Sequence, residues 1–343
     1  MAEQDPLRFP STARPRPTKQ SRLETSSGEE EKLMRTLIKT ARAAMISIAL
    51  VAGTATFAQD ITIAVVPKVA VPFFDDCNTG AQEAATALGV NYQWVVPQNT
   101  QGATQVKIIE DLIARHVSGI AISVNEPKSV EGIIKQAMDA GIKVLTFDSD
   151  SAASGRSMYI GTINKQAGVT MGNSMAEALG GKGKVAIITG QLGASNLNER
   201  IDGVKEALTA YPDIEIVAVE GTEDDLAKAV SVTEALLRGN PDLAGIFGMS
   251  QVGGPAVAKV LAQQEFAASK GVIKVFAFDD LPDTIQGVKD GYINGIMVQR
   301  PVTMGRLAVE SLVAQIKGEM TAPADIDTGV TVVNADNLGS YTK

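Results

Sequence analysis

The sequence predicts an α/β fold made of two doubly wound parallel sheets. Three observations lead there. Apolar runs of strand length alternate with amphipathic helical stretches, and strict β–α alternation yields a parallel sheet with right-handed crossovers. The runs are continuously apolar, as in Ile61-Thr62-Ile63-Ala64-Val65-Val66, which is the pattern of strands covered on both faces. The alternation also comes in two series that resemble each other.

The first residues do not belong to that pattern. Residues 1–33 carry Pro10, Pro15, Pro17 and the run Glu29-Glu30-Glu31 without apolar periodicity, so they are predicted to be unfolded. They read as a leader or a mis-called start, because Met34 followed by Arg35 is the better initiator of what comes next. Residues 34–58 read as a signal peptide. Arg35, Lys39 and Arg42 form the basic region, Ala43 to Val51 the apolar region, and Thr56-Phe57-Ala58 a small-residue cleavage site. The expectation is export with cleavage near Ala58. The apolar run falls short of the roughly 20 residues of a spanning helix. No cysteine follows it closely, which argues against a lipid anchor.

From Gln59 onward, strands are expected near 61–67, 91–96, 119–124, 143–148 and 157–161, with helices near 72–88, 102–116 and 128–140. The second series has strands near 184–189, 214–219, 243–248, 273–278 and 293–298. Its helices fall near 197–210, 224–238, 253–265 and 282–290, with a further one near 302–317. The run from 59 to the end is long enough for two ordinary domains.

Charge and rare residues exclude several functions. The chain has net charge −8; with nine basic and six acidic residues in 1–58, the remainder holds 22 basic and 33 acidic residues, net −11. This argues against a nucleic-acid or anionic-membrane surface. Cys77 is the single cysteine and His116 the single histidine. An intrachain disulfide is impossible, and neither a metal centre nor a Ser-His-Asp or Cys-His arrangement is expected. His116 follows a helical pattern and reads as a helix C-terminal residue. No cofactor is expected.

Each series carries an apolar strand ending in Phe-Asp: Val144-Leu145-Thr146-Phe147-Asp148 and Val275-Phe276-Ala277-Phe278-Asp279. Ligands bind at the carboxyl ends of strands in open α/β sheets. One such aspartate is equally a cap or turn residue; two at matching places favour a site. Lys68 ends the first strand. Pro72 suits a first helical turn, which sets Phe73 and Phe74 near the cleft, one to stack on a ligand and the other a candidate for the core. Gly190 to Ser195 could cradle a phosphate, but they lack the P-loop Lys-Ser/Thr and the third glycine of a dinucleotide fingerprint. A tight strand-to-helix turn at the cleft edge fits them better.

Val66-Pro67-Lys68, Pro72-Phe73-Phe74, Gly80-Ala81-Gln82-Glu83-Ala84 and Thr146-Phe147-Asp148-Ser149-Asp150 together carry a resemblance. It continues through Gly181-Lys182-Gly183-Lys184-Val185, Glu199-Arg200-Ile201-Asp202-Gly203, Phe278-Asp279 and Gln299-Arg300-Pro301. In order and spacing these resemble the ribose-binding-protein family, the periplasmic sugar receptors of ABC importers, over essentially all of 61–335. The resemblance implies two lobes joined by a three-crossover hinge, the type I periplasmic binding fold. The crossovers would fall near 161–163, 299–301 and 328–332. Lobe one would be 59–162 plus 300–329, and lobe two 163–299 plus 330–343.

It also implies the site. Asp148 and Asp279 would accept sugar hydroxyls and Lys68 would donate to them, with charge strengthening each bond. Phe73 and Phe74 would supply an apolar wall. Asn198 stands where the family places a sugar-contacting Arg, Ser250 matches an Asn contact, and Gln299 matches a Gln contact at the hinge. Asp150, Asn196, Arg200 and Gln251 are secondary candidates. The chain departs from the family at Ser149, at Asn198 and at Asp224, which stands where the lobe-two wall is aromatic, so ribose is not the expected ligand.

A small neutral sugar or polyol is expected, delivered by a monomeric periplasmic receptor to a membrane permease, with a chemoreceptor as a further possible partner. Three alternatives remain at this point. An autoinducer-type receptor of the same fold is disfavoured by Asn196-Leu197 where that branch has Asp-Gln. An exported sugar-acting enzyme would use Asp148 and Asp150 as acid and base. A transcription regulator would need a DNA-binding segment where the export signal lies.

Overall fold

Ile63, Ala64, Val65 and Val66 are completely buried, as a strand covered on both faces must be. In the computed structural model, which describes residues 60–342, they form the centre of β1 (Thr62–Val66). The expected leader over 1–33 and signal peptide over 34–58 lie outside the described residues.

β1 is flanked by β2 (Asn91–Trp94) and β3 (Gly119–Ile122), followed outward by β4 (Lys143–Phe147), β5 (Tyr159–Gly161) and β11 (Ile326–Asp327). The first sheet thus has the order β11-β5-β4-β3-β1-β2, all parallel. The second has the matching order β12-β10-β9-β8-β6-β7. Its strands are β6 (Lys182–Thr189), β7 (Asp213–Gly221), β8 (Leu243–Gly248), β9 (Lys274–Phe278), β10 (Gly295–Val298) and β12 (Thr331–Asn334). Here the all-parallel expectation is corrected at one edge: β12 runs antiparallel to β10. The chain reaches it by a short step from β11 in the other sheet, with no helix to reverse its direction.

The helices cover both faces of the sheets. They are α1 (Pro72–Leu88), α2 (Gly102–Ala114), α3 (Pro127–Asp139), α4 (Asn164–Leu179), α5 (Ser195–Leu208), α6 (Leu226–Gly239), α7 (Gly253–Leu261), α8 (Pro282–Lys289) and α9 (Pro301–Ile316). Proline opens α1, α3, α8 and α9, where its missing N–H is no loss. The chain steps between sheets three times, at 162–163, 299–300 and 328–330.

α4 is absent from the sequence-based expectation. Its buried face is Ala167, Gly168, Met171, Gly172, Met175 and Ala176, too small and too weakly apolar to stand out as a period of 3.6. That smallness serves packing. A Cβ on Gly168 would run into the backbone of Arg200 on α5, so the glycine lets the two helices touch and brings Arg200 under the hinge. His116 follows α2 with a left-handed backbone, φ 53°, and is exposed.

Candidate functional site

The carboxyl ends of strands from both sheets converge on one cavity. β1 leads into Lys68, Val69 and Val71, and the first turn of α1 adds Phe73 and Phe74. β4 ends at Asp148. From the second sheet come Asn196, Leu197 and Arg200 on α5, Asp224 after β7, Ser250 and Gln251 after β8, Asp279 after β9 and Gln299 after β10.

The two halves meet directly across this space. Lys68 Nζ donates to Asn196 Oδ1 at 3.2 Å, and Asn196 Nδ2 donates to Asp148 Oδ1 at 3.3 Å. The backbone N–H of Phe73 donates to Gln251 Oε1 at 3.1 Å. Phe73 and Phe74 are both buried and pack edge to face, with Phe74 also set edge-on to Phe147. Both therefore belong to the wall and to the core.

Asp148 is compensated within its own half. Lys68 Nζ lies 3.5 Å from one oxygen, and Ser123 Oγ donates to the same oxygen at 2.7 Å. Asp279 is held by Gln299 Nε2 at 3.0 Å. Burial pushes its carboxyl up to about 6, although the attraction of Arg200 and the bond from Gln299 oppose the rise.

Among the described residues Arg200 is the largest fully buried side chain. Its guanidinium stacks 3.8 Å from the centroid of Phe278. It donates to Asn164 Oδ1 at 2.9 Å, to the Met249 carbonyl at 2.8 Å and to Gln299 Oε1 at 2.7 Å. Burial pulls its pKa down, against the attraction of Asp279 and Asp148.

These bonds run through the hinge. Gln299 Oε1 also accepts from Thr162 Oγ1 at 3.1 Å. Asn164 Nδ2 donates to the Tyr159 hydroxyl at 3.3 Å, which donates to the Asp148 carbonyl at 2.9 Å. Both strand-end aspartates are thus tied to residues of the first two crossovers. Sequence reasoning singled out none of Ser123, Tyr159, Thr162 and Asn164. Each is an ordinary polar residue whose role exists only through contacts distant in the chain.

Of the residues expected at the site, Lys68, Phe73, Phe74, Asp148, Ser250, Asp279 and Gln299 line the cavity, together with Asn196, Arg200 and Gln251 from the secondary set. Asn198 does not. It is exposed, and its amide donates to the Leu192 carbonyl at 2.9 Å. Residues 196 and 200 are one helical turn apart and share a face, whereas 198 points away from it. Asp150 also lies outside, bonded by Arg156 Nη2 at 2.6 Å and Nε at 2.8 Å. Burial alone would raise its carboxyl, but the bonds from Arg156 and Thr146 outweigh that and hold it below its usual value. A carboxylate held in this way is a poor proton donor. Gly190 to Ala194 form the turn between β6 and α5.

Among the described residues no His/Cys/Asp/Glu group could hold a metal ion, and no helix is long and apolar enough to cross a membrane. Residues 63–320 match the periplasmic binding protein domain family. The chain belongs to that family. A solute-binding protein of an ABC transporter from Burkholderia graminis, whose crystal structure is a complex with D-arabinose, is 70% identical, with a TM-score of 0.82 over 83% of this chain and 99% of that one. The xylose/arabinose-binding protein of Sulfolobus acidocaldarius is 27% identical over 79% of this chain and 70% of its own length. The ribose import binding protein of Escherichia coli is 28% identical over 80% and 90%. As a periplasmic binding protein the chain is a receptor rather than an enzyme, and the acid–base reading of Asp148 and Asp150 is set aside. Its two sheets, parallel except at β12, and the three steps between them are the type I fold that the resemblance implied.

Proposed function

We propose that this periplasmic binding protein captures a neutral monosaccharide, with D-arabinose the first candidate, and delivers it to the permease of an ABC importer. One observation carries the reading. Asp148 and Asp279, from different sheets, face a single small cavity that also holds Lys68 and Arg200. A sugar hydroxyl both donates and accepts, so it suits a space where fixed carboxylates alternate with fixed cations. Ser250 Oγ is buried without a hydrogen-bond partner in the protein, and a ligand hydroxyl would satisfy it. The edge of the Phe73 and Phe74 cluster offers an apolar surface for the C–H face of the ring. D-arabinose is favoured because the 70% identical protein was crystallised with it.

Lobe one as 59–162 plus 300–329 and lobe two as 163–299 plus 330–343 would open and close about the three crossovers. Ligand bonds to both lobes form only in the closed arrangement, so ligand draws the population there. Cleavage near Ala58 would release the receptor into the periplasm as a monomer. A thermal-shift panel of pentoses, hexoses and polyols tests the assignment. A ligand at 100 times its Kd adds about 2.7 kcal/mol of stability. D-arabinose is expected to give the largest shift, with a smaller radius of gyration on binding. No shift from any pentose would refute the assignment, and an unchanged radius at saturation would refute the closure.

A further inference from the structure

We propose that Asp224 is a third ligand-facing carboxylate and that it decides which monosaccharide the cavity prefers; this rests on the reading that the cavity holds a neutral sugar. Positive φ among the described non-glycine residues occurs at His116, Asp148, Glu223, Asp224 and Asp279. Three of these are the aspartates that line the cavity. A left-handed backbone is unfavourable for an L residue, least so for Asp and Asn, and persists where the surroundings demand it. At Asp148 and Asp279 it aims a strand-end carboxylate into the cavity. At Glu223 and Asp224 two consecutive residues adopt it, with φ 55° and 59°.

The turn that does this is anchored. Thr222 is fully buried, and its hydroxyl and N–H both donate to the Thr189 carbonyl at 2.9 Å, clipping the turn after β7 to the end of β6. Gly190, next along, leaves room for the carboxylate: a Cβ there would collide with Asp224 Cγ and both carboxylate oxygens. Gln191 Nε2 donates to Asp224 Oδ2 at 3.3 Å and fixes the group from the side. The carboxylate is therefore held over bare backbone at the cavity wall.

The consequence is chemical. Asp148, Asp224 and Asp279 reach the cavity from three separate strands, against the two cations Lys68 and Arg200. A sugar with a hydroxyl facing Asp224 gains a charge-assisted bond. An epimer or deoxy sugar leaves that carboxylate without its bond from the ligand, and such a mismatch discriminates more strongly than an apolar contact does. A sugar acid meets like charge.

The test is titration calorimetry on wild type, Asp224→Asn and Gly190→Ala, with D-arabinose and its monodeoxy and epimeric forms. Asn tolerates the left-handed backbone, so that variant keeps the turn. Asp224→Asn is expected to weaken D-arabinose by about 10-fold or more, and to abolish the discrimination between D-arabinose and one particular deoxy form. Gly190→Ala should reproduce both effects by displacing the carboxylate. Binding within about threefold of wild type in the Asn variant overturns the proposal, as does an equal loss for every sugar, which would mean a structural role. If no pentose binds wild type, the pentose assignment fails, and D-galactose with its deoxy forms decides Asp224 by the same criterion. If neither sugar binds, both readings fall.

Discussion

Asp148 and Asp279 hold the same place in the two halves of the molecule. Each follows the third strand of its sheet, each is preceded by Phe, and each has a left-handed backbone, φ 57° and 68°. Their surroundings differ. Asp148 faces the ammonium of Lys68 and the hydroxyl of Ser123. Asp279 accepts from a neutral amide, with the nearby guanidinium of Arg200 already committed to Asn164, Met249 and Gln299. The repeated backbone places the carboxylate; side chains from elsewhere in the chain set which partners it has.

The largest effect is expected at the compensated member. Asp148→Asn leaves Lys68 buried without its counter-charge. Affinity should fall by about 100-fold or more, since two charge-assisted bonds weaken together. Unfolding free energy should drop by about 3 kcal/mol, the usual result of breaking a buried pair on one side. Calorimetry and urea melts read the two. An unchanged melt would show that the pairing with Lys68 contributes nothing to the fold, and the contrast with Asp279 would lose its basis.

At Asp279 the effect should depend on pH. The folded value, about 6, lies above the unfolded one, about 3.9. Between about pH 4 and 6 the folded protein holds a proton that the unfolded chain has lost. Stability therefore falls as pH rises through that window and levels off above it, by about 3 kcal/mol in all. Asp279→Asn should remove this slope. Affinity for a neutral sugar should move the other way: at pH 5 about a tenth of the carboxyl is ionised, so binding should be about 10-fold weaker than at pH 7.5. A flat affinity profile in wild type would mean that Asp279 is ionised throughout or does not contact the ligand.

The smallest effects are expected where candidates fell outside the cavity. Asn198→Ala should leave affinity within about twofold, as for other exposed positions. Asp150→Asn should cost about 1 kcal/mol of stability by loosening Arg156, with affinity unchanged. A large loss of binding in either would redraw the cavity wall.

Much of this was readable from residue patterns. Continuous apolar strands, prolines at helix starts and the paired Phe-Asp strand ends are local features, and they locate both sheets and the two principal aspartates. What escaped has a common physical origin. α4 buries a face of alanine, glycine and methionine, which carries little periodicity. β12 takes its direction from the partner strand it meets. Asn198 and Asn196 differ by half a turn of α5, and only the helix's start at Ser195 decides which of them faces inward.

By itself, then, the sequence determined the architecture: an alternation of strand and helix, repeated, with carboxylates at the strand ends where such sheets bind ligands. Those properties follow from backbone hydrogen bonding and side-chain periodicity, which act over a few residues. The tertiary structure decided the electrostatics and the membership of the site. Lys68 meets Asp148, Arg200 reaches the hinge through Asn164 and Gln299, and Asp224 enters over Gly190. Those pairings join residues 34 to 99 positions apart, and a Coulomb or hydrogen-bond partner is chosen by distance in space, which no local pattern encodes.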